Sequence, residues 1–439
     1  MNAFTVFLSI LFISSIGFIV LRGFRFIRIK DTLLAIGASY GLGVGLVGVQ
    51  LYLYSRFNIP WQKEFIFFPW LLLFGTILVK KRKHIRLGFP KLPSLDKVEK
   101  LLLLGILLTI GYVVFEALLR PVVAWDAWAD WLLYPKMFFI DGKITLDTLR
   151  YAGAGYPMTI SLLDTFVYIL LGHIDDTAVL LTSSAFYVFL AITFFAVLKK
   201  SYGLRYALLF TLLLVTTQNF VRHGGRLEAG MADLPVGYFA FLSVVFLFEY
   251  FKKRNVKTLF IFSTFLSITS LIKYEGIPLA FFIALCAFVY IVKHRLLKHL
   301  LILFLWIVPF VSWQLDRRVT GIENTYFSIA HPIELGINKS INALSGTFKE
   351  LVNVKTWNVL WITYFYQLFA FGIRRQRELA VLHFVVVSQL MLYLIIYNIT
   401  FGNGPESSIE RLLMHIAPLA FYVIAIVTKI LFRKKNIIF

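Results

Sequence analysis

The amino-acid sequence predicts an all-α integral membrane protein with about 13 transmembrane helices and a long first outer loop that carries a juxtamembrane helix. Three observations predict it. Hydrophobic residues make up 59% of the 439, with a mean hydropathy of +0.80; a soluble domain, typically about 45–50% apolar, could not hide that surplus. Apolar runs of about 18 residues or more, enough to cross a bilayer, recur along the whole chain. Lys and Arg fall in short blocks between those runs, the distribution that sets orientation in a membrane. Phe dominates the aromatics with 45 residues, which suits lipid-facing packing more than a ligand box.

Taken in order, the runs and their breaks place helices at 3–21, 32–54, 65–79, 100–119, 177–198, 206–220, 233–251, 258–272, 277–292, 299–316, 357–373, 379–399 and 412–432. The first run starts at once, with no basic leader and no small-residue cleavage site, and reads as a span rather than a signal peptide. The stretch 158–171 reads as the juxtamembrane helix. It is short, contains Asp164, and as a span it would put Lys199 and Lys200 on the wrong side. Residues 1–98 form an N-terminal three-helix module, and 99–439 a main module with outer loops 120–176 and 317–356.

With that assignment the basic blocks alternate cleanly. One face collects Arg22–Lys30, Lys80–Lys100, Lys199–Arg205, Lys252–Lys257, Lys293–Lys298, Arg374–Arg377 and Arg433–Lys435, together 28 of the 44 Lys and Arg. The positive-inside rule makes that face cytoplasmic, with the N-terminus outside and the C-terminus inside. The net charge of +21 therefore reads as topology, and no nucleic-acid partner is expected. The acidic residues run the other way: Asp126, Asp130, Asp141, Asp147, Asp164, Asp175, Asp176, Glu228, Asp233, Glu275, Glu406 and Glu410 all fall at or beyond outer helix ends. Function is expected on the outer face. The one cysteine, Cys286, lies in an apolar run and has no internal partner for a disulfide.

Four outer constellations carry chemistry. The first loop opens Trp125-Asp-Ala-Trp-Ala-Asp-Trp131 and reaches Tyr156 in a Gly-rich stretch. If 125–131 is helical, Asp126 and Asp130 share one face, close enough for a common substrate or cation. An aromatic belt accounts for Trp125, Trp128 and Trp131 but not for two carboxylates, which are costly near hydrocarbon. The second, Arg222-His-Gly-Gly-Arg-Leu-Glu-Ala-Gly-Met-Ala-Asp233, brings Arg222, Arg226, Glu228 and Asp233 to the head of a span. Its small residues allow close backbone approach, and Asp233 is either an N-cap or a site residue. In the third, Lys273-Tyr-Glu275, Lys273 either snorkels or meets a phosphate as a point charge. In the fourth, Arg411 opposes the macrodipole at a helix start and suits bidentate phosphate recognition. Glu116 precedes Arg120 by a turn, as an ion-pair partner or a site wall. His294 and His299 belong to a basic loop, and no zinc spacing, Gly-rich phosphate loop or Ser-His-Asp order is found.

Together these residues resemble the GT-C superfamily of membrane glycosyltransferases, which includes protein O-mannosyltransferases and lipid A aminoarabinose transferases. Trp125–Trp131 stands where the family's acidic loop motif is expected, and 158–171 where its juxtamembrane helix is. Glu228–Pro235 resembles a later Asp-led helix start, and Lys273-Tyr-Glu-Gly276 a Lys-x-Glu-Gly turn of bacterial members. The resemblance implies transfer of a sugar, with inversion, from a polyprenyl phosphate to a glycan, lipid or protein acceptor at the outer face of the cell membrane. It implies Asp126 as general base, Asp130 as second carboxylate, and a divalent cation (Mg or Mn) at that pair. It further implies Lys273, Arg411 and Arg226 at the donor phosphate, with Glu228, Asp233, Glu275, Trp128 and Tyr156 lining the substrate. Two departures stand out: three spans precede the loop-bearing helix where many members have one, and Ala127 follows Asp126 where some subfamilies have a second acid. The rival expectation is a secondary transporter or lipid flippase, against which stand few mid-span charges and no repeat of the two halves.

Overall fold

In lipid every backbone N–H and C=O must find its partner within the chain, which leaves helices for apolar runs of this kind. A computed structural model describes residues 2–28, 31–85, 94–145, 155–321, 337–371, 377–399 and 408–434, and among these there are helices and turns but no strand. The chain divides into two compact units, residues 1–215 with 221–232, and residues 216–220 with 233–439.

Unit 1 contains α1 (Asn2–Gly23), α2 (Thr32–Arg56), α3 (Lys63–Ile85), α4 (Lys97–Leu119), α5 (Leu133–Asp141), α6 (Thr159–Leu171), α7 (Asp176–Tyr202) and α8 (Leu204–Val215). After it comes α9 (Gln218–Gly225), whose last five residues return to unit 1. The α1–α2 crossing is made by glycine: a Cβ on Gly17 would lie 1.9 Å from the Ser39 carbonyl oxygen, and one on Gly43 2.0 Å from that of Ile13. Small residues of this kind let membrane helices meet backbone to backbone. Helix α4 starts at a capping box, where Glu99 N–H donates to Asp96 Oδ1 at 2.8 Å and Asp96 N–H donates to Glu99 Oε2 at 3.2 Å. Its leucines 101, 104, 107 and 108 stay exposed, as on a lipid-facing surface.

Helix α6 coincides with the expected juxtamembrane helix but does not lie on a surface. Thr159 to Ile169 are all buried against α1, α2 and α5, and Asp164 accepts a hydrogen bond from Thr182 Oγ1 at 3.1 Å. Its 13 residues are covered on every side instead of along one stripe, so it is interior. Because α1 and α2 pack on α6 and α7, contacts group residues 1–98 with the rest of unit 1.

Unit 2 is built on α10 (Asp233–Lys253), every described turn of whose apolar window is buried. Around it run α11 (Val256–Ser270), α12 (Gly276–Lys293), α13 (Leu297–Val319), α14 (Ile337–Leu351), α15 (Val354–Trp357), α16 (Leu360–Phe371), α17 (Arg377–Ile399), α18 (Ile409–Met414) and α19 (Ala417–Lys434). Among the described residues eight helices are long and apolar enough to cross a membrane: α1, α2, α4, α7, α10, α12, α13 and α17. A ninth forms if α8 and α9, bent by 69°, are one broken span. That is fewer than the 13 expected. Helices α11 and α16 have 15 and 12 residues, and α3 carries Lys63, Glu64 and a basic run from Lys80 at its ends.

Candidate functional site

In unit 1, α4 ends at an ion pair, with Arg120 Nε–H donating to Glu116 Oε2 at 2.8 Å. The chain then runs extended to Trp125 and winds into a π-turn at Ala127–Trp131, closed by Leu132 N–H donating to Ala127 O at 2.9 Å. The expected helix over 125–131 is therefore present but wider than an α-turn. Five-residue hydrogen bonds of this type occur mostly as single turns and are frequent at functional sites. Asp126 leads into the turn and Asp130 lies within it, both half-buried. Trp125 and Trp128 are exposed with ring centroids 5.2 Å apart, whereas Trp131 is buried and stacks on Tyr156 at 4.8 Å. Tyr156 thus forms part of the floor beneath the turn.

The second constellation packs directly on the first. Gly230, at φ +89°, donates its N–H to Ser183 Oγ at 2.8 Å, and a Cβ built on it would lie 3.2 Å from the Ala127 Cβ. A positive φ is cheap only for glycine. One turn earlier, a Cβ on Gly225 would be 2.0 Å from the Val113 carbonyl oxygen, so α9 seats against the last turns of α4. Ala117, Leu132, Val179, Leu180 and Ala229 form the apolar base of this joint. Above it Arg222 pairs with Glu228. Arg226 lies over the Tyr112 ring at 5.9 Å, with its Nε 3.8 Å from Glu116 Oε2. Asp175 and Asp176 have structural partners: Asp175 caps α7 through Ala178 N–H at 2.9 Å, and Lys136 reaches Asp176 at 2.6 Å.

Unit 2 holds a separate buried cluster. Asp233 is the first residue of α10, and its Oδ1 accepts from Lys273 Nζ at 2.7 Å and from His415 Nε2 at 2.9 Å. The carboxylate is thus an ion-pair acceptor rather than an N-cap. His415 bridges two groups, its other ring nitrogen, Nδ1, lying 2.8 Å from the Tyr393 hydroxyl. Lys273 also lies 3.5 Å from Glu275 Oε1, and Gln389 Nε2 donates to the Glu275 carbonyl at 3.2 Å. Burial works against the Lys273 charge, but Asp233 and then Glu275 outweigh it and hold its proton above the ordinary lysine range. Lys273 is neither snorkelling nor directed at solvent. Arg411 lies on α18 close enough for its charge to act on Asp233 and Lys273.

The structure therefore places Asp126, Asp130, Trp128, Tyr156, Arg226 and Glu228 in unit 1, on two segments that meet at Gly230 and Ala127, and Asp233, Lys273, Glu275 and Arg411 in unit 2. Sequence reasoning missed His415, Tyr393 and Gln389; the available signal was a histidine inside the last apolar run, four residues after Arg411. Of the fourth constellation 403–407, and of the acids Asp147 and Glu406, nothing is described, since they lie outside the described residues. Among the described residues no three His, Cys, Asp or Glu side chains gather as metal ligands. A Mg or Mn ion at Asp126 and Asp130 would need substrate phosphate and water to complete its shell. Comparison with protein-family profiles, with curated proteins and with solved structures finds no match to this chain.

Proposed function

We propose that this chain is a membrane glycosyltransferase of the GT-C kind, moving a sugar from a polyprenyl-phosphate donor to a hydroxyl of a glycan, lipid or protein acceptor at the outer face of the cell membrane. The observation that carries the reading is the joint at Gly230, which seats the Asp126–Asp130 turn against the segment bearing Arg222, Arg226 and Glu228. Such a joint holds a carboxylate base and a guanidinium on one rigid support. In the reaction, the acceptor oxygen attacks the anomeric carbon as the bond from that carbon to the phosphate oxygen breaks. Asp126 takes the hydroxyl proton, the sugar inverts, and polyprenyl phosphate leaves. A positioned base typically contributes about 10²–10⁴-fold.

Arg226 is the cation best placed to meet the departing phosphate. Among the described residues it reaches a single carboxylate, and only at 3.8 Å, whereas Lys273 is held by two. Trp128, exposed beside Asp126, offers a face for the sugar. On this reading the chain crosses thirteen times, with α3, the α8–α9 pair, α11, α16 and α19 joining the eight long apolar helices. The N-terminus lies outside and the C-terminus in the cytoplasm. The test is transfer by purified protein from radiolabelled polyprenyl-phosphate sugar. Asp126→Asn abolishes it with expression unchanged, and wild-type turnover in that variant would sink the assignment.

A second reading, a secondary transporter, is favoured by the buried Asp233–Lys273–His415 cluster, because ionisable groups inside spans mark ion and substrate paths in such proteins. Substrate accumulation in sealed vesicles without sugar transfer would support it.

A further inference from the structure

Helix α14 divides into three sectors at 3.6 residues per turn. Ala343, Gly346 and Thr347 are buried against α17 and α18. Asn342, Ser345 and Lys349 form an exposed polar sector. Between them runs an apolar stripe, Ile341, Leu344, Phe348 and Val352, exposed by 56%, 56%, 66% and 41%. A helix of 15 residues is about 22 Å long, short of the roughly 30 Å hydrocarbon core. An apolar stripe beside a Lys-bearing polar sector on a short helix is the pattern of one lying in the membrane interface.

We infer that α14 and α15 form an in-plane anchor whose partner is the lipid headgroup–acyl boundary. Two features choose that occupant. Val354 and Val359, and then Ile362, Tyr366 and Phe369 of α16, are exposed as well, and α16 is an apolar helix, so exposed apolar side chains recur along the chain from α14 through α16. Charge is also complementary. Lys349 and Lys355 are exposed, while the carboxylate of Glu350 is turned inward, accepting from Trp357 Nε1–H at 2.8 Å and from Asn353 Nδ2 at 3.0 Å. The exposed polar side of this segment thus carries lysines, the charge that anionic headgroups attract. The inference stands whether or not sugar transfer does.

The test uses full-length protein carrying Cys286→Ser, reconstituted in phosphatidylcholine–phosphatidylglycerol vesicles. Nitroxide labels are placed on Ile341→Cys, Leu344→Cys, Phe348→Cys, Asn342→Cys and Lys349→Cys. The first three are expected to relax with oxygen and to be shielded from a water-soluble nickel chelate; the last two show the reverse. Equal nickel accessibility at all five positions overturns the proposal. So does shielding of the first three from both reagents, which would mean that protein covers the stripe. All positions are exposed, and each variant is read only as monodisperse protein in which the Asn342 and Lys349 labels remain mobile.

Discussion

Removing the Lys273 ammonium leaves the Asp233 carboxylate buried, with His415 as its remaining hydrogen-bond partner among the described residues. Deleting one partner of a buried pair costs about 3–5 kcal/mol, so Lys273→Met should lower the thermal unfolding temperature in detergent markedly. Adding Asp233→Asn should restore part of the loss, because no charge is then stranded; additive losses would show the two are uncoupled. The pH dependence follows from the raised Lys273 value. A group held above its unfolded pKa contributes fully below that unfolded value, about 10.4 for lysine, and loses the contribution only as pH rises through the folded value. An amine reagent at about pH 9 should therefore modify Lys273 far more slowly than exposed Lys355, read by peptide mass. Lys273 was legible in the sequence as a cation at a turn between two helices. Its partners were not, because Asp233 and His415 are brought to it by packing from 40 residues before and 142 after, and nothing local marks either as an ion-pair member.

At the scale of elements, the helical character of 125–131 was legible from its spacing, but its π winding was not. The turn packs on the Gly230 loop at Ala127, a tertiary contact that local spacing does not reveal. The same limit applied to α6, whose apolar residues marked a short helix but could not say that α1, α2 and α5 would enclose it. The joint itself is testable. Gly230→Val places a branched side chain at a φ of +89° and within 3.2 Å of Ala127. A non-glycine residue in the left-handed region costs roughly 1–2 kcal/mol, and the contact displaces the turn bearing Asp126. If the proposed function holds, sugar transfer should fall much further than thermal stability. Gly142→Ala is the control, since Gly142 also has a positive φ, +65°, but nothing lies within 4 Å of its added Cβ. It should show the backbone cost alone, a smaller loss of stability, and keep its activity.

At the scale of the whole chain, the parity of crossings separates the possible counts. Eight spans put both termini on one side, while nine or thirteen put them on opposite sides. The orientation proposed from the alternation of basic blocks expects opposite sides, with the C-terminus in the cytoplasm. Nine and thirteen differ in whether α3, α11, α16 and α19 cross, and α11 is the most informative. Its 15 residues reach about 22 Å, short of the roughly 30 Å core, which argues against crossing if its ends must meet water at both faces. They need not. The turn after α11 is sunk in unit 2, with Lys273 buried and satisfied by Asp233 and Glu275, and backbone at membrane depth is tolerated where protein rather than lipid surrounds it. A short helix can then complete a crossing by ending inside the bundle. In sealed, right-side-out vesicles of a Cys286→Ser background, a cysteine at Lys257 should stay protected from an impermeant maleimide until the vesicles are opened. A cysteine at the half-buried Tyr274 should react from outside, slowly. Reaction of both from the same side would make α11 a re-entrant element and return the count towards nine.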